Sequence, residues 1–202
     1  MNKKVISLIL VIFLLLAFLS TTVNAAASAK VFASSKSGYY NDSAVYAKYG
    51  LEDLGYSVST TIGAIRKATM LDWIGNTGNG YGFYVHTFGG TGYFNDYYGY
   101  SIDADDISGN WDLVYIDSSN SAKTDELARA FHTVGYSDRC FLGWYNPITT
   151  SNSNSFNYYF WTEYVTHATI RSAALAAAAS VPGDGTTPVR FYGDTTYDGS
   201  AR

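Results

Sequence analysis

The chain reads as an α/β protein, a three-layer sandwich in which a mainly parallel, six-stranded sheet carries helices on both faces. Three observations predict this. Apolar runs short enough for strands alternate with segments of helical period along most of the length. One run, Leu113-Val114-Tyr115-Ile116, has no polar interruption, as expected of a central strand buried on both faces of a parallel sheet. Glycine-rich and asparagine-rich punctuation, such as Gly75 to Gly80 and Gly89-Gly90, falls between the segments.

Taken in order, Lys30 to Ser34 is a first strand. Asn41 to Leu54 repeats Ala44, Val45, Ala47, Leu51 and Leu54 at helical spacing, with Gly55 as a stop. Tyr56 to Thr60 is a short second strand, and Ile62 to Ile74 returns to helical period. Gly82 to Phe88 is a third strand. Tyr93 to Ile102, aromatic with Gly99 inside, reads as a hairpin projecting from the sheet edge. Leu113 to Asp117 is the central strand, followed by a helix from Thr124 to Val134 with Thr124 as its N-cap. Arg139 to Trp144 is a fifth strand, Asn146 to Asn154 a polar loop, Phe156 to Val165 an aromatic helix and His167 to Ser180 an alanine-rich one. Pro182-Gly183-Asp184-Gly185 breaks that helix, and Val189 to Asp194 is the sixth strand.

The start of the chain is a different kind of segment. Lys3 and Lys4 precede an apolar run from Val5 to Leu19 that ends in small residues through Ala26, the pattern of a secretory signal covering residues 1–26. The run is shorter than the roughly 18 to 20 apolar residues of a spanning helix. A secreted, extracellular domain over 27–202, with no membrane association after signal removal, is therefore expected. Without Lys3 and Lys4, the 13 Lys and Arg fall to about 11 against 17 Asp and Glu, a net charge of about −6. No basic cluster follows the signal, so a nucleic-acid partner is not expected. Cys140 is the single cysteine, which leaves stability to a core built from 47% hydrophobic residues, among them 19 Tyr, 11 Phe and 4 Trp.

Chemistry concentrates at the end of the central strand. Open α/β sheets place ligands at the carboxyl ends of their strands, and Asp117, Ser118, Ser119, Asn120 and Ser121 occupy that place. A strand-to-helix turn there would expose a nucleophile and aim helix N–H groups at developing negative charge. Turn chemistry alone also favours Ser, Asn and Asp at such a point.

The ordering of elements resembles the caspase-like fold of cysteine peptidases, which includes caspases, metacaspases, legumain and gingipains. Phe83 to Gly90, F-Y-V-H-T-F-G-G, is similar to the strand that ends in the catalytic His-Gly. Leu113 to Ser121, L-V-Y-I-D-S-S-N-S, is similar to the strand ending in the nucleophilic Cys, and Arg190 to Thr196 to a late strand with Gly-Asp. The resemblance implies Ser119 in place of the cysteine and Phe88 in place of the histidine. His86, two residues before Phe88, shares its strand face about 7 Å away and is the candidate base. Asp117 is the candidate orienting group.

Two further readings follow from residue types. Cys140, in an apolar run, reads as a core residue, and His132 and His167, without spaced partners, as structural. No Cys/His cluster has zinc spacing. Asp103, Asp105 and Asp106 are the candidate Ca2+ ligands, with an acidic helix cap as the competing reading; no other cofactor is expected. The aromatic hairpin suits a secreted binding module. The expected function is a degenerate peptidase domain that binds a peptide or protein. The alternatives are an active serine-type hydrolase using Ser119 and His86, or a toxin or bacteriocin-like protein on the same scaffold.

Overall fold

The computed structural model describes residues 27–34, 38–75, 81–166, 169–181 and 188–201. The leader, His167 and the Pro182 to Gly185 break lie outside these residues. The main sheet has six strands in the order β2-β1-β3-β7-β8-β9. These are β1 (Ser28–Ala33), β2 (Ser57–Ile62), β3 (Gly82–His86), β7 (Leu113–Asp117), β8 (Cys140–Trp144) and β9 (Val189–Gly193). All neighbours pair in parallel except β8 and β9. The fold class expected from the sequence is the one observed. Every residue of β7 is buried, and the strand lies between β3 and β8, as an uninterrupted apolar run requires.

Alternation along the strands sorts two cores. Val31, Ala33, Tyr84, Tyr115, Leu142 and Trp144 face one side. There they pack under α1 (Gly38–Asp53), α4 (Thr150–Tyr158), a π-helical continuation over Tyr159–Tyr164, and α5 (Ile170–Ser180). Phe32, Phe83, Val85, Val114, Ile116 and Phe141 face the other side, beneath α2 (Lys67–Gly75) and α3 (Glu126–Ala130).

Three expectations need correction. The aromatic segment does not project from an edge. With β4 (Gly89–Gly90), its strands β5 (Tyr93–Asn95) and β6 (Ser101–Asp103) form a separate antiparallel sheet, and Phe94 and Ile102 are buried in the second core. Burying two large side chains outweighs leaving them in water by roughly 1.5–3 kcal/mol each, which draws the hairpin onto the sheet face.

The helix after the central strand starts at Glu126, not Thr124. Asp125 holds the cap position without a side-chain capping bond, its carboxylate accepting from Arg129 instead, and the Thr124 hydroxyl goes to Glu126 Oε2 at 3.2 Å.

The polar loop read through Asn154 is instead helical from Thr150, with Thr149 as N-cap accepting from the Asn152 N–H. Its buried face carries Ser153 and Asn157 beside Phe156, so polar residues stand where an apolar stripe was sought.

Candidate active site

The chain passes from β1 outward to β2 and then back across β1 to β3, so the strand order reverses between β1 and β3. Ligands of open α/β sheets gather at the carboxyl side of such a reversal. A cavity of about 60 Å3 lies there, lined by Tyr40, His86, Thr87, Phe88, Asp117, Ser118, Ser119, Ile148, Thr150 and Ser153. All four residues singled out from the sequence thus meet in one place. Register explains why, because His86 and Asp117 are partners on the parallel strands β3 and β7, and the Thr87 N–H continues the ladder to the Asp117 carbonyl at 3.1 Å.

Asp117 forms the floor. Its Oδ1 accepts from Trp144 Nε1 at 2.6 Å and Ser153 Oγ at 2.7 Å, and its Oδ2 from Asn157 Nδ2 at 2.6 Å and the Tyr84 hydroxyl at 3.0 Å. Four donors saturate a buried carboxylate, which offsets the cost of taking its charge out of water. Ser153 and Asn157 lie one helical turn apart on α4, which is what brings both to the same carboxylate. Sequence reasoning missed this pair. The available signal was the i, i+4 spacing of two polar residues interleaved with Phe156 and Phe160.

His86 lies against that floor. The side chain is 3% exposed, and its ring centroid is 4.1 Å from that of Tyr40, the first side chain of the site supplied by α1. Nδ1 is 3.2 Å from Asp117 Oδ2, yet it is not aligned for a hydrogen bond and is a buried atom without a hydrogen-bond partner. Burial pushes the imidazole pKa below its ordinary value, and the Asp117 charge pulls the other way with smaller effect. The ring is therefore neutral around pH 7. Tyr40 is half-buried, and burial, followed by the Asp117 charge, pushes its hydroxyl pKa up, so it is a neutral phenol.

Ser119 sits at the other wall. Its Oγ accepts from the Ile148 N–H at 3.2 Å, and the next residue, Asn120, turns the chain with φ 60°. Among the described residues no hydrogen bond joins Ser119 to His86. Helix α3 begins well downstream, so the helix start beside Ser119 is not the one the strand-to-helix reading had; Ile148, bonded to Ser119, directly precedes the N-cap of α4, and Thr150 of that helix lines the cavity. Ser118 Oγ is buried without a hydrogen-bond partner, and a Cβ on Gly89 would come within 2.5 Å of it and 2.6 Å of the Tyr93 carbonyl. Only glycine fits there, which gives a steric reason for the Phe-Gly order at this strand end. Phe88 is 36% exposed and lines the cavity with Ser119.

No family model matches this chain, and no curated protein sequence matches it significantly. A structural comparison does find a relative in shape. The crystal structure of caspase-1 from Spodoptera frugiperda superposes with a TM-score of 0.55 over 85% of this chain and 87% of that one, at 12% sequence identity. The fold is caspase-like. Within the caspase-like fold the cavity described above stands at the ends of β3 and β7, the strands whose sequences carried the resemblance.

The remaining candidates lie elsewhere in the caspase-like fold. Asp103 caps the 3-10 turn Ala104–Asp106 by accepting from the Asp105 N–H, while Asp106 accepts from the Asp103 N–H and from Lys67 Nζ at 2.6 Å. Among the described residues, no group of three or more His, Cys, Asp or Glu side chains is arranged to hold a metal ion. Cys140 is fully buried, and burial pushes its thiol pKa well up. His132 is exposed, with Nδ1 2.8 Å from the Gly109 carbonyl.

Proposed function

We propose that this chain is a secreted caspase-like domain whose peptidase chemistry has lapsed and which binds a peptide or protein segment in the cleft between Phe88 and Ser119. One observation carries the reading: the serine at the nucleophile position shares its cavity with a phenylalanine, while the histidine that also lines it is almost fully buried, packed against Tyr40 and beside Asp117. A serine alcohol needs a base within about 2.6–3.2 Å to become a nucleophile. Ser119 instead accepts the Ile148 N–H, and His86 has its Nδ1 beside a carboxylate already served by four donors.

Binding requires less than catalysis. An exposed aromatic ring beside hydroxyl groups and strand-end backbone offers an anchor and hydrogen bonds to an extended segment. The signal-like leader supports secretion, and the acidic surface favours partners other than nucleic acid.

The opposing reading is an active serine hydrolase, favoured only by Ser119 and His86 sharing one cavity. Fluorophosphonate labelling of the mature chain separates the two, with no adduct on Ser119 expected and an adduct establishing the hydrolase. Panning a displayed peptide library against the same protein should yield binders that Phe88→Ala weakens tenfold or more. A library that yields none sensitive to Phe88 removes the peptide site.

A further inference from the structure

A second cavity, of about 310 Å3, opens beside the start of α2 and is lined by Arg66, Lys67, Ala68, Asp96, Tyr98 and Tyr100. This volume is at the lower end of the range for small-ligand pockets. Its wall is rigid, because the buried Asp96 carboxylate accepts the N–H groups of Lys67, Tyr98 and Tyr100 at 2.8, 2.8 and 2.9 Å. Gly99, at φ 96°, closes the turn. Held in this way, Tyr98 and Tyr100 are nevertheless 53% and 68% exposed.

The charges in the pocket are matched within the chain, with one exception. Lys67 Nζ is taken by Asp106 and by the Ser101 carbonyl at 2.8 Å. The Arg66 guanidinium lies over the Tyr98 ring, 5.4 Å from its centroid, and among the described residues no acceptor takes its N–H groups. A guanidinium resting on an aromatic face keeps its N–H edge free, and that fork matches a planar carboxylate with two parallel hydrogen bonds.

The surroundings narrow the ligand further. Asp96, together with Asp106 on Lys67, repels a doubly charged group such as a phosphate, while a single negative charge meets Arg66 at little cost. Ala68 is the only aliphatic lining residue, so an apolar side chain gains little there. The ring of Tyr100 and the two phenol hydroxyls suit a molecule with a C–H face and a hydroxyl rim. We propose that this pocket binds a carboxylate-bearing saccharide, its carboxylate on Arg66 and its ring face on Tyr100.

Isothermal titration of the mature chain with trigalacturonate, sialyllactose and neutral maltotriose tests this, the two acidic sugars separating a uronate from a sialate source. One acidic sugar should bind, at least tenfold more tightly than maltotriose, and Arg66→Gln and Tyr100→Ala should each weaken it tenfold or more while the thermal melt is unchanged. Absence of binding by both acidic sugars, equal binding of maltotriose, or an Arg66→Gln variant that binds as well as the parent overturns the proposal. So does tighter binding of tetraglutamate than of either sugar, which would assign the pocket to acidic peptides.

Discussion

His86 and Asp117 are register partners on adjacent parallel strands, with Nδ1 and Oδ2 3.2 Å apart, and yet the contact is not a hydrogen bond. Tyr84 and Asn157 occupy the acceptor directions of Oδ2, and Tyr40 packs against the imidazole ring. The pair resembles the orienting half of a triad in its residues but not in its bonding.

The pH dependence of stability should report this arrangement. Burial lowers the pKa of His86 in the folded chain, so the unfolded chain takes up a proton first, beginning near pH 6.5. Stability from this group is complete above that pH and declines as pH falls from there towards the lowered folded value. Urea denaturation at a series of pH values from about 7.5 to about 5 should show the decline, and His86→Gln should flatten it. An unchanged slope in His86→Gln would place the titrating group elsewhere.

Asp117 is expected to be a stability determinant first. Asp117→Ala removes the acceptor of three buried donors, Trp144 Nε1, Ser153 Oγ and the Tyr84 hydroxyl, while Asn157 Nδ2 keeps the Ser153 carbonyl at 2.9 Å. Each unsatisfied buried group costs about 1–3 kcal/mol, so a loss of about 3 kcal/mol or more in chemical denaturation is the expected result. A loss under about 1 kcal/mol would mean the network relaxes without its acceptor.

Gly50 sets two effects against each other. It lies inside α1, where alanine gains about 1 kcal/mol of helix propensity. A Cβ there would stand 2.6 Å from Trp161 Cε3 and 3.0 Å from the Trp161 carbonyl. Overpacking of this kind costs about 1–3 kcal/mol. Since a backbone atom is among the obstacles, Gly50→Ala should lower the midpoint of thermal unfolding, and a raised midpoint would show that Trp161 yields.

Cys140 should ignore thiol reagents in the native state. The side chain is fully buried, and its raised pKa keeps it a thiol. Reaction with a chromogenic disulfide is expected only after unfolding in denaturant, and prompt labelling of the folded protein would contradict the packing described.

Introducing the residues that the resemblance implies for active peptidases tests the proposed loss of catalysis. Ser119→Cys combined with Phe88→His places a thiol and an imidazole in the lining of one cavity. The double variant should show amidase activity against a mixed peptide substrate pool where each single variant shows none. Inactivity in a folded double variant would show that the cleft lacks more than these two side chains.

Much of this protein is legible in one dimension. Leu113 to Asp117 is predicted to the residue as a buried strand, because an apolar run without interruption has few other stable places. The same run predicts where the chemistry-bearing residues gather, since strand ends in an α/β sheet are where polar groups meet a crevice. The aromatic helix from Phe156 is legible, but its first turns, which carry Ser153, are hidden for the opposite reason. Their inward face is polar, so a rule that seeks apolar periodicity passes over them.

The sequence alone, then, determines the α/β class and the central strand, because these follow from residue type and local period; that Phe88 and Ser119 are substituted positions comes from the resemblance and belongs to the proposal. Only the tertiary structure decides that His86 is buried against Tyr40 in the cavity wall and that Asp117 is saturated by donors from β3, β8 and α4. Those facts depend on which side chains from distant segments compete for the same lone pairs, and hydrogen-bond competition is settled in space.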